Sequence, residues 1–237
     1  MASKWGEFLS RLLVGEEKPV DPSVFGDPLA LATAWVPLES GGSNFCSHGI
    51  RKIDSLRMEF KTTLGMKLFC SFFIFFGMAF AGIPLAALSH HKAFQAPLIW
   101  NALFGLIFSA IGIMAFYKAE RPIVFDKTKG AFRKGRGKPG KDKGSFVVDL
   151  CRIRALQILS EHCRGNKSSY YSYELNAVLD DASRVNVVDH GSLEKLRKDA
   201  QILGQFLGVQ IWDAELARRE VKAVEAKIDR WPLPGER

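Results

Sequence analysis

The chain has 237 residues, 47% of them apolar, and a formal net charge of +8. That length leaves room for one modest water-soluble domain beside its apolar stretches. Its four cysteines, Cys46, Cys70, Cys151 and Cys163, form no CxxC pair, which argues against a zinc centre.

The opening residues, MASKWGEFLSRLLVGEEK, are too interrupted for a secretory leader and show no small-residue cleavage site. Trp5, Phe8, Leu9, Leu12 and Leu13 recur at helical spacing; such a helix lies on a membrane surface or packs on the protein's own domain. Asp21-Pro22 and Asp27-Pro28 mark loops, and Gly41-Gly42-Ser43-Asn44 a turn. Leu56, Met58 and Phe60 alternate with Arg57, Glu59 and Lys61, so period two predicts a short strand over residues 55–61. Residues 1–63 form an N-terminal cytoplasmic segment; residues 30–63 either complete a sheet or stand apart from it.

Neither residues 68–89 nor residues 93–117 contain Asp, Glu, Lys or Arg. A helical membrane crossing takes about 20 apolar residues, so two spans, 68–88 and 94–117, form a transmembrane hairpin within residues 64–118. Arg51, Lys52, Arg57, Lys61 and Lys67 precede the hairpin and ten Lys or Arg fall between residues 118 and 143, whereas the turn carries only Lys92. Lys and Arg stay on the cytoplasmic side, which places both termini inside a bacterial inner (cytoplasmic) membrane and keeps the thiols reduced. Gly105, Ser109 and Gly112 share one side of the second span, where small residues admit a neighbouring helix. Packing within the hairpin is one use of that side and homo-oligomer contact the other. Gly77 and Gly82 are five apart and make no GxxxG pair. Asn101 is the one strongly polar residue inside, so no ion or proton relay is apparent.

Beyond Arg121 the pattern turns to short strands. Ile123-Val124-Phe125 and residues 131–134 flank Asp126-Lys127-Thr128-Lys129-Gly130, a hairpin with a bulge. Residues 135–144 are a Gly/Lys loop, and residues 146–150 and 153–159 are strands. Residues 171–179 make the clearest strand: Tyr171, Tyr173, Leu175, Ala177 and Leu179 face one way, Ser172, Glu174, Asn176 and Val178 the other. Asp180-Asp181-Ala182-Ser183 turns it and residues 184–188 return. Ser192 caps a helix whose face is Leu193, Leu196, Ala200, Leu203 and Leu207, ended by Gly208. A short run over 209–212 precedes a polar helix over 214–230 with the seam Ala217, Val221, Val224 and Ile228. Sheet first and helix last is an α+β order, with an antiparallel β domain over 119–213 and a C-terminal helix and tail over 214–237.

Val124-Phe125-Asp126, Lys129-Gly130, Ala155-Leu156-Gln157-Ile158-Leu159, Ser172-Tyr173-Glu174-Leu175-Asn176 and Val187-Val188-Asp189-His190-Gly191 form a set. With it, residues 122–213 resemble the bacterial pleckstrin-homology-like (PH-like) domains that follow paired membrane spans. The resemblance implies a cytoplasmic antiparallel β-sheet domain closed by a helix, and carries over no catalytic residue.

Gly135-Arg136-Gly137-Lys138-Pro139-Gly140-Lys141-Asp142 approaches the phosphate-binding pattern GxxxxGK[ST]. Asp142 stands where the magnesium-binding hydroxyl belongs, and a strand follows instead of a helix, so it reads as a loop. Lys127, Lys129, Arg133, Lys134, Arg136, Lys138, Lys141 and Lys143 are the candidate contacts to anionic lipid, each worth about 1 kcal/mol near the inner leaflet. The same charges also serve to fix orientation. Aromatic residues are not interleaved with them beyond Phe132, which disfavours nucleic acid. His48, His90, His91, His162 and His190 show no metal-site spacing, no GxSxG occurs, and no carboxylate pair is set in a cleft. These features predict a non-catalytic, cofactor-free binding or scaffold protein serving a membrane assembly. The alternative is an oligomeric small channel or transporter subunit built from the hairpin. A headgroup-modifying enzyme lacks a nucleophile, base or metal set.

Overall fold

The computed structural model describes residues 20–38, 41–42, 44–89, 96–137, 144–164 and 169–228. It opens with a 3-10 turn, Pro22–Phe25, and a short helix α1, Pro28–Ala32. The Asp-Pro pairs that read as loops start both: Asp21 and Asp27 accept N–H bonds from Ser23 and Leu29, and each proline takes the first helical position, where a missing N–H costs nothing.

Five strands, β1 (His48–Lys52), β2 (Arg57–Thr62), β3 (Ile123–Asp126), β4 (Ala131–Lys134) and β5 (Phe146–Asp149), form an antiparallel sheet in chain order. Between β2 and β3 stand two long helices, α2 (Leu64–Ser89) and α3 (Ala96–Ala119). Both are long and apolar enough to cross a membrane, with mean hydropathy 1.9 over Leu64–Pro84 and 2.0 over Leu98–Ala119. β2 pairs with β3 from Arg57↔Asp126 to Phe60↔Ile123. Thr63 alone separates β2 from α2, and residues 120–122 separate α3 from β3. The helix pair is therefore an insertion into a β-hairpin. Of the residues before it, β1 and β2 complete the sheet, so the β domain is drawn from both sides of the helices rather than from residues 119–213 alone.

A second sheet has the order β8-β7-β6-β9, from β6 (Ile153–Arg164), β7 (Ser169–Leu179), β8 (Arg184–His190) and β9 (Gln210–Asp213). β6 to β8 are antiparallel, but β9 pairs with β6 in parallel. The fold is α+β with one antiparallel and one mixed sheet, not the wholly antiparallel domain that the strand order suggested. The cause is α4 (Leu193–Leu207), which carries the chain across the sheet before it pairs again; parallel neighbours need such a crossover. α5 (Ala214–Ile228) follows β9 directly.

Two local expectations change. The β3–β4 turn holds four residues and closes on Gly130 at φ 62, and the ladder runs without a register shift, so no bulge is needed. Register shifts lie instead where Ile153 and Ala155 meet β7 and where Leu175 and Asn176 meet β8. Ser192 occupies the cap position of α4 without a side-chain cap bond; its N–H donates to His190 Nδ1. At the other end, Gly208 at φ 76 returns its N–H to the Gly204 carbonyl, as the glycine foretold.

The core lies between the sheets. Met58, Phe60, Ile123, Phe125 and Phe132 meet Leu156, Ile158, Leu175, Ala177, Leu179 and Val187, and α4 closes it with Leu196, Ala200 and Leu203. Phe125 and Phe132 are register partners whose rings stack at 4.1 Å. A smaller core sits on the opposite face of the second sheet, where Ala30, Phe25, Leu29 and Trp35 cover Ala155, Val178 and Trp212.

Candidate functional site

Three places carry the chemistry: the crossing of α2 and α3, the end of the first sheet next to these helices, and the outer face of the second sheet.

At the crossing, Gly105, Ser109 and Gly112 are all buried against α2. A Cβ on Gly105 would stand 2.5 Å from the Gly77 carbonyl oxygen and 2.6 Å from the Ala81 nitrogen. The Ser109 hydroxyl donates to the Ile74 carbonyl at 3.2 Å, and a Cβ on Gly112 would press on Phe73 and Ile74. The small-residue side is thus filled by the other helix of the same chain. Gly77 is the partner that spacing within one helix could not reveal, because its match lies on the facing helix.

At the sheet end beside the helices, the last carbonyl of α3, on Ala119, accepts from Thr62 Oγ1 and His48 Nε2, both at 2.8 Å. His48 Nδ1 in turn faces the Ser47 hydroxyl at 2.9 Å. Nε2 therefore carries the proton and Nδ1 accepts. Thr63 caps α2 by accepting from Met66 N–H. Lys67 pairs with Glu120 at 3.1 Å. Burial alone would raise the Glu120 carboxyl, but Lys67, Thr62 and Lys61 hold it below its ordinary range. Arg136 donates to the Tyr117 and Glu120 carbonyls at 2.9 Å each and lies over the Tyr117 ring. A cation there satisfies the free carbonyls of a helix C-terminus.

Strand direction divides the eight basic candidates. β3 runs away from the helices and β4 returns, so Lys127 and Lys129 sit on the far turn, roughly 10 Å from the near end at about 3.4 Å per residue. Lys127 lies over the Phe206 ring at 4.5 Å. Arg133, Lys134 and Arg136 sit at the near end. There Lys134 donates to the Asn186 carbonyl at 3.2 Å and Arg133 to the Arg136 carbonyl at 3.3 Å. Lys138, Lys141 and Lys143 lie outside the described residues. Lys61, Lys118, Arg121 and Arg133 are exposed at this end as well.

The outer face of the second sheet is polar yet buried: Gln157 and Asn176 are 0% exposed, Ser172 2% and Glu174 5%. Residues 33–38 and 41–42 lie across it. Thr33 Oγ1 donates to the Ala182 carbonyl, Gln157 to that of Ala34, Arg184 to that of Val36 and Tyr170 to that of Gly42. Glu174 accepts the Leu38 N–H, and Glu161 those of Gly41 and Gly42. Burial pushes the Glu174 carboxyl above its ordinary range. Burial likewise lowers the Arg184 guanidinium, with Glu174 pulling the other way. Sequence reading found the alternation of β7 but not this cover, since the bonded partners are more than 100 residues apart.

Among the described residues no three His, Cys, Asp or Glu side chains are grouped to hold a metal ion. No family model, no curated protein and no solved structure matches the chain.

Proposed function

We propose that the chain is a membrane-anchored, non-catalytic binding module of the bacterial inner membrane. In this reading α2 and α3 cross the bilayer, both termini are cytoplasmic, and a PH-like β domain faces the inner leaflet as an accessory part of a larger assembly. The observation that carries it is the insertion of the helix pair into the β2–β3 hairpin with connections of one and three residues. A sheet joined so shortly to two spans cannot drift from the membrane surface. Its near end, with Lys61, Lys118, Arg121, Arg133 and Arg136, meets the headgroups, and Lys138, Lys141 and Lys143 follow in the sequence between β4 and β5. Basic residues there draw anionic lipid at about 1 kcal/mol each. Lys127 and Lys129, on the far turn, take no part.

Extraction in mild detergent tests this. The protein is expected to carry anionic over zwitterionic phospholipid and a second polypeptide in fixed ratio. Exchanging Arg121, Arg133, Lys141 and Lys143 for glutamine lowers the lipid preference, whereas exchanging Lys127 and Lys129 leaves it unchanged. Isolation of a lone chain with the lipid composition of the bulk membrane would overturn the reading.

A further inference from the structure

The first sheet has one covered face and one open one. Met58, Phe60, Ile123, Phe125 and Phe132 point into the core, so strand alternation sends their neighbours outward. Register sets Arg51, Glu59, Val124, Arg133 and Val147 side by side in one row across all five strands. Arg57 and Lys61 flank Glu59 along β2 on the same face. Glu59 is the one carboxylate of the row, and it is already used. Arg57 donates to it at 2.8 Å and Lys61 pairs with it, which leaves it only 6% exposed on an open surface. Burial alone would raise its carboxyl, but Lys61 and Arg57 hold it below the ordinary range.

Two cations remain. Arg51 and Arg133 are exposed, and neither bonds a carboxylate among the described residues; Arg133 donates to the Arg136 carbonyl instead. Val124 lies between them and Val147, 46% exposed, lies beside Arg133. The next row, toward the far turn, holds Asp126 and Asp149. Asp126 is spent on its own turn, accepting the Thr128 and Lys129 N–H groups.

We propose that the outer face of the first sheet docks an acidic segment of a partner protein, with its carboxylates on Arg51 and Arg133 and its apolar side chains on Val124 and Val147. Glu59 shows the mode of binding, a carboxylate gripped by the cations of this face. The inference rests on the binding-module reading for the existence of a partner, and names where that partner docks. Three of the four cations are Arg, interleaved with apolar residues, which is the composition of protein interfaces, where Lys is depleted. Headgroup attraction makes no such choice, and the sheet meets the helices by the ends of β2 and β3, not by this face. Size selects a segment over a folded domain. The row spans about 19 Å across the strands, and Arg57 to Lys61 about 14 Å along β2. That is roughly a third of the area each partner gives to a standard interface, about 800 Å². A second copy would bring the same cations to the face, and like charges repel.

The test uses the full chain in neutral detergent without anionic lipid. The probe is the fluorescent peptide EEEELLEEEE, with EEEESSEEEE as its polar counterpart. Arg51→Glu is expected to weaken probe binding about ten-fold, and Val147→Glu, which removes no cation, by a comparable factor. Lys129→Glu on the far turn changes net charge as much as Arg51→Glu and leaves binding within about two-fold. The unaltered chain also prefers the leucine peptide to the serine one. All three altered side chains are exposed, and circular dichroism checks that each variant is folded. The proposal is overturned by absence of binding, by equal losses for Arg51→Glu and Lys129→Glu, or by equal binding of the serine peptide. Phosphatidylglycerol that displaces the probe better than unlabelled peptide does would give the face to lipid and overturn it. So would a joint Glu7→Gln, Glu16→Gln and Glu17→Gln variant that binds the probe ten-fold more tightly, since the chain's own N-terminal segment would then hold the face. Arg51 and Val147 are not among the headgroup contacts, so failure here leaves the headgroup reading standing.

Discussion

Gly105→Leu at the helix crossing is the sharpest test of the packing. The first carbon added at residue 105 would stand 2.5 Å from a backbone oxygen of Gly77 and 2.6 Å from the backbone nitrogen of Ala81. Neither atom is the end of a flexible side chain, so the helices themselves must part by roughly 1 Å to restore van der Waals separation. Overpacking of this kind costs about 1–3 kcal/mol. The separation also breaks the Ser109–Ile74 bond, an interhelical bond worth about 0.6 kcal/mol. Together the loss is about 1.6–3.6 kcal/mol, or roughly 15- to 400-fold in the folding equilibrium. Gly82→Leu is the internal control, because a Cβ at residue 82 meets nothing within 4 Å. Reversible unfolding of the full chain in mild detergent, read by far-UV circular dichroism and by a tryptophan signal from the β domain, measures both. Equal losses for Gly105→Leu and Gly82→Leu would refute the assignment of the small-residue side to contact within the chain.

Two further outcomes follow from the β domain. Burial lowers the His48 imidazole, with Lys134 acting in the same sense against the Ala119 carbonyl, Glu120 and Asp189; it lowers His190 too, helped by Lys195 and His48. Both rings are held neutral in the folded chain, so their contribution is present above the ordinary value of 6.5 and is lost as pH falls through it toward the depressed folded values. Denaturant stability should drop between about pH 7.5 and 5.5, and His190→Asn should flatten that slope; an unchanged slope counts against the buried placement. Ala182 holds φ 62 in the β7–β8 turn without being glycine. Ala182→Gly should raise stability by about 0.5–1 kcal/mol, the relieved left-handed strain exceeding the added unfolded-state entropy; a loss measured by thermal melting would contradict that geometry.

What the sequence made legible was local. The uncharged stretches gave both long helices, the alternation of residues 171–179 gave β7, and the apolar spacing from Leu193 with Gly208 behind it gave α4 and its end. β1 was missed because His-Gly-Ile-Arg-Lys carries no alternation of its own; it becomes a strand by pairing with β2. β9 was seen as a short run, but its direction is set by the path of α4, which no residue in the run encodes. The site was less legible still. The basic loop looked like one patch, yet strand direction carries Lys127 and Lys129 to the far turn and turns Arg136 into a helix cap. The alternation of residues 171–179 set the two faces of β7 apart, but the segment that covers the polar face comes from 119 to 149 residues away in the chain.

The insertion of two helices between β2 and β3 also orders events during synthesis. Phe60 must wait for Ile123 before the two can pair, so the first strands leave the ribosome with an open edge while the apolar segments are still being made. Closing so long a loop is entropically costly for a free chain. Here the packed helix pair brings the two strand ends together in advance. A defect at Gly77 or Gly105 would accordingly surface first as a sheet that closes late and is exposed to proteolysis and aggregation at that edge.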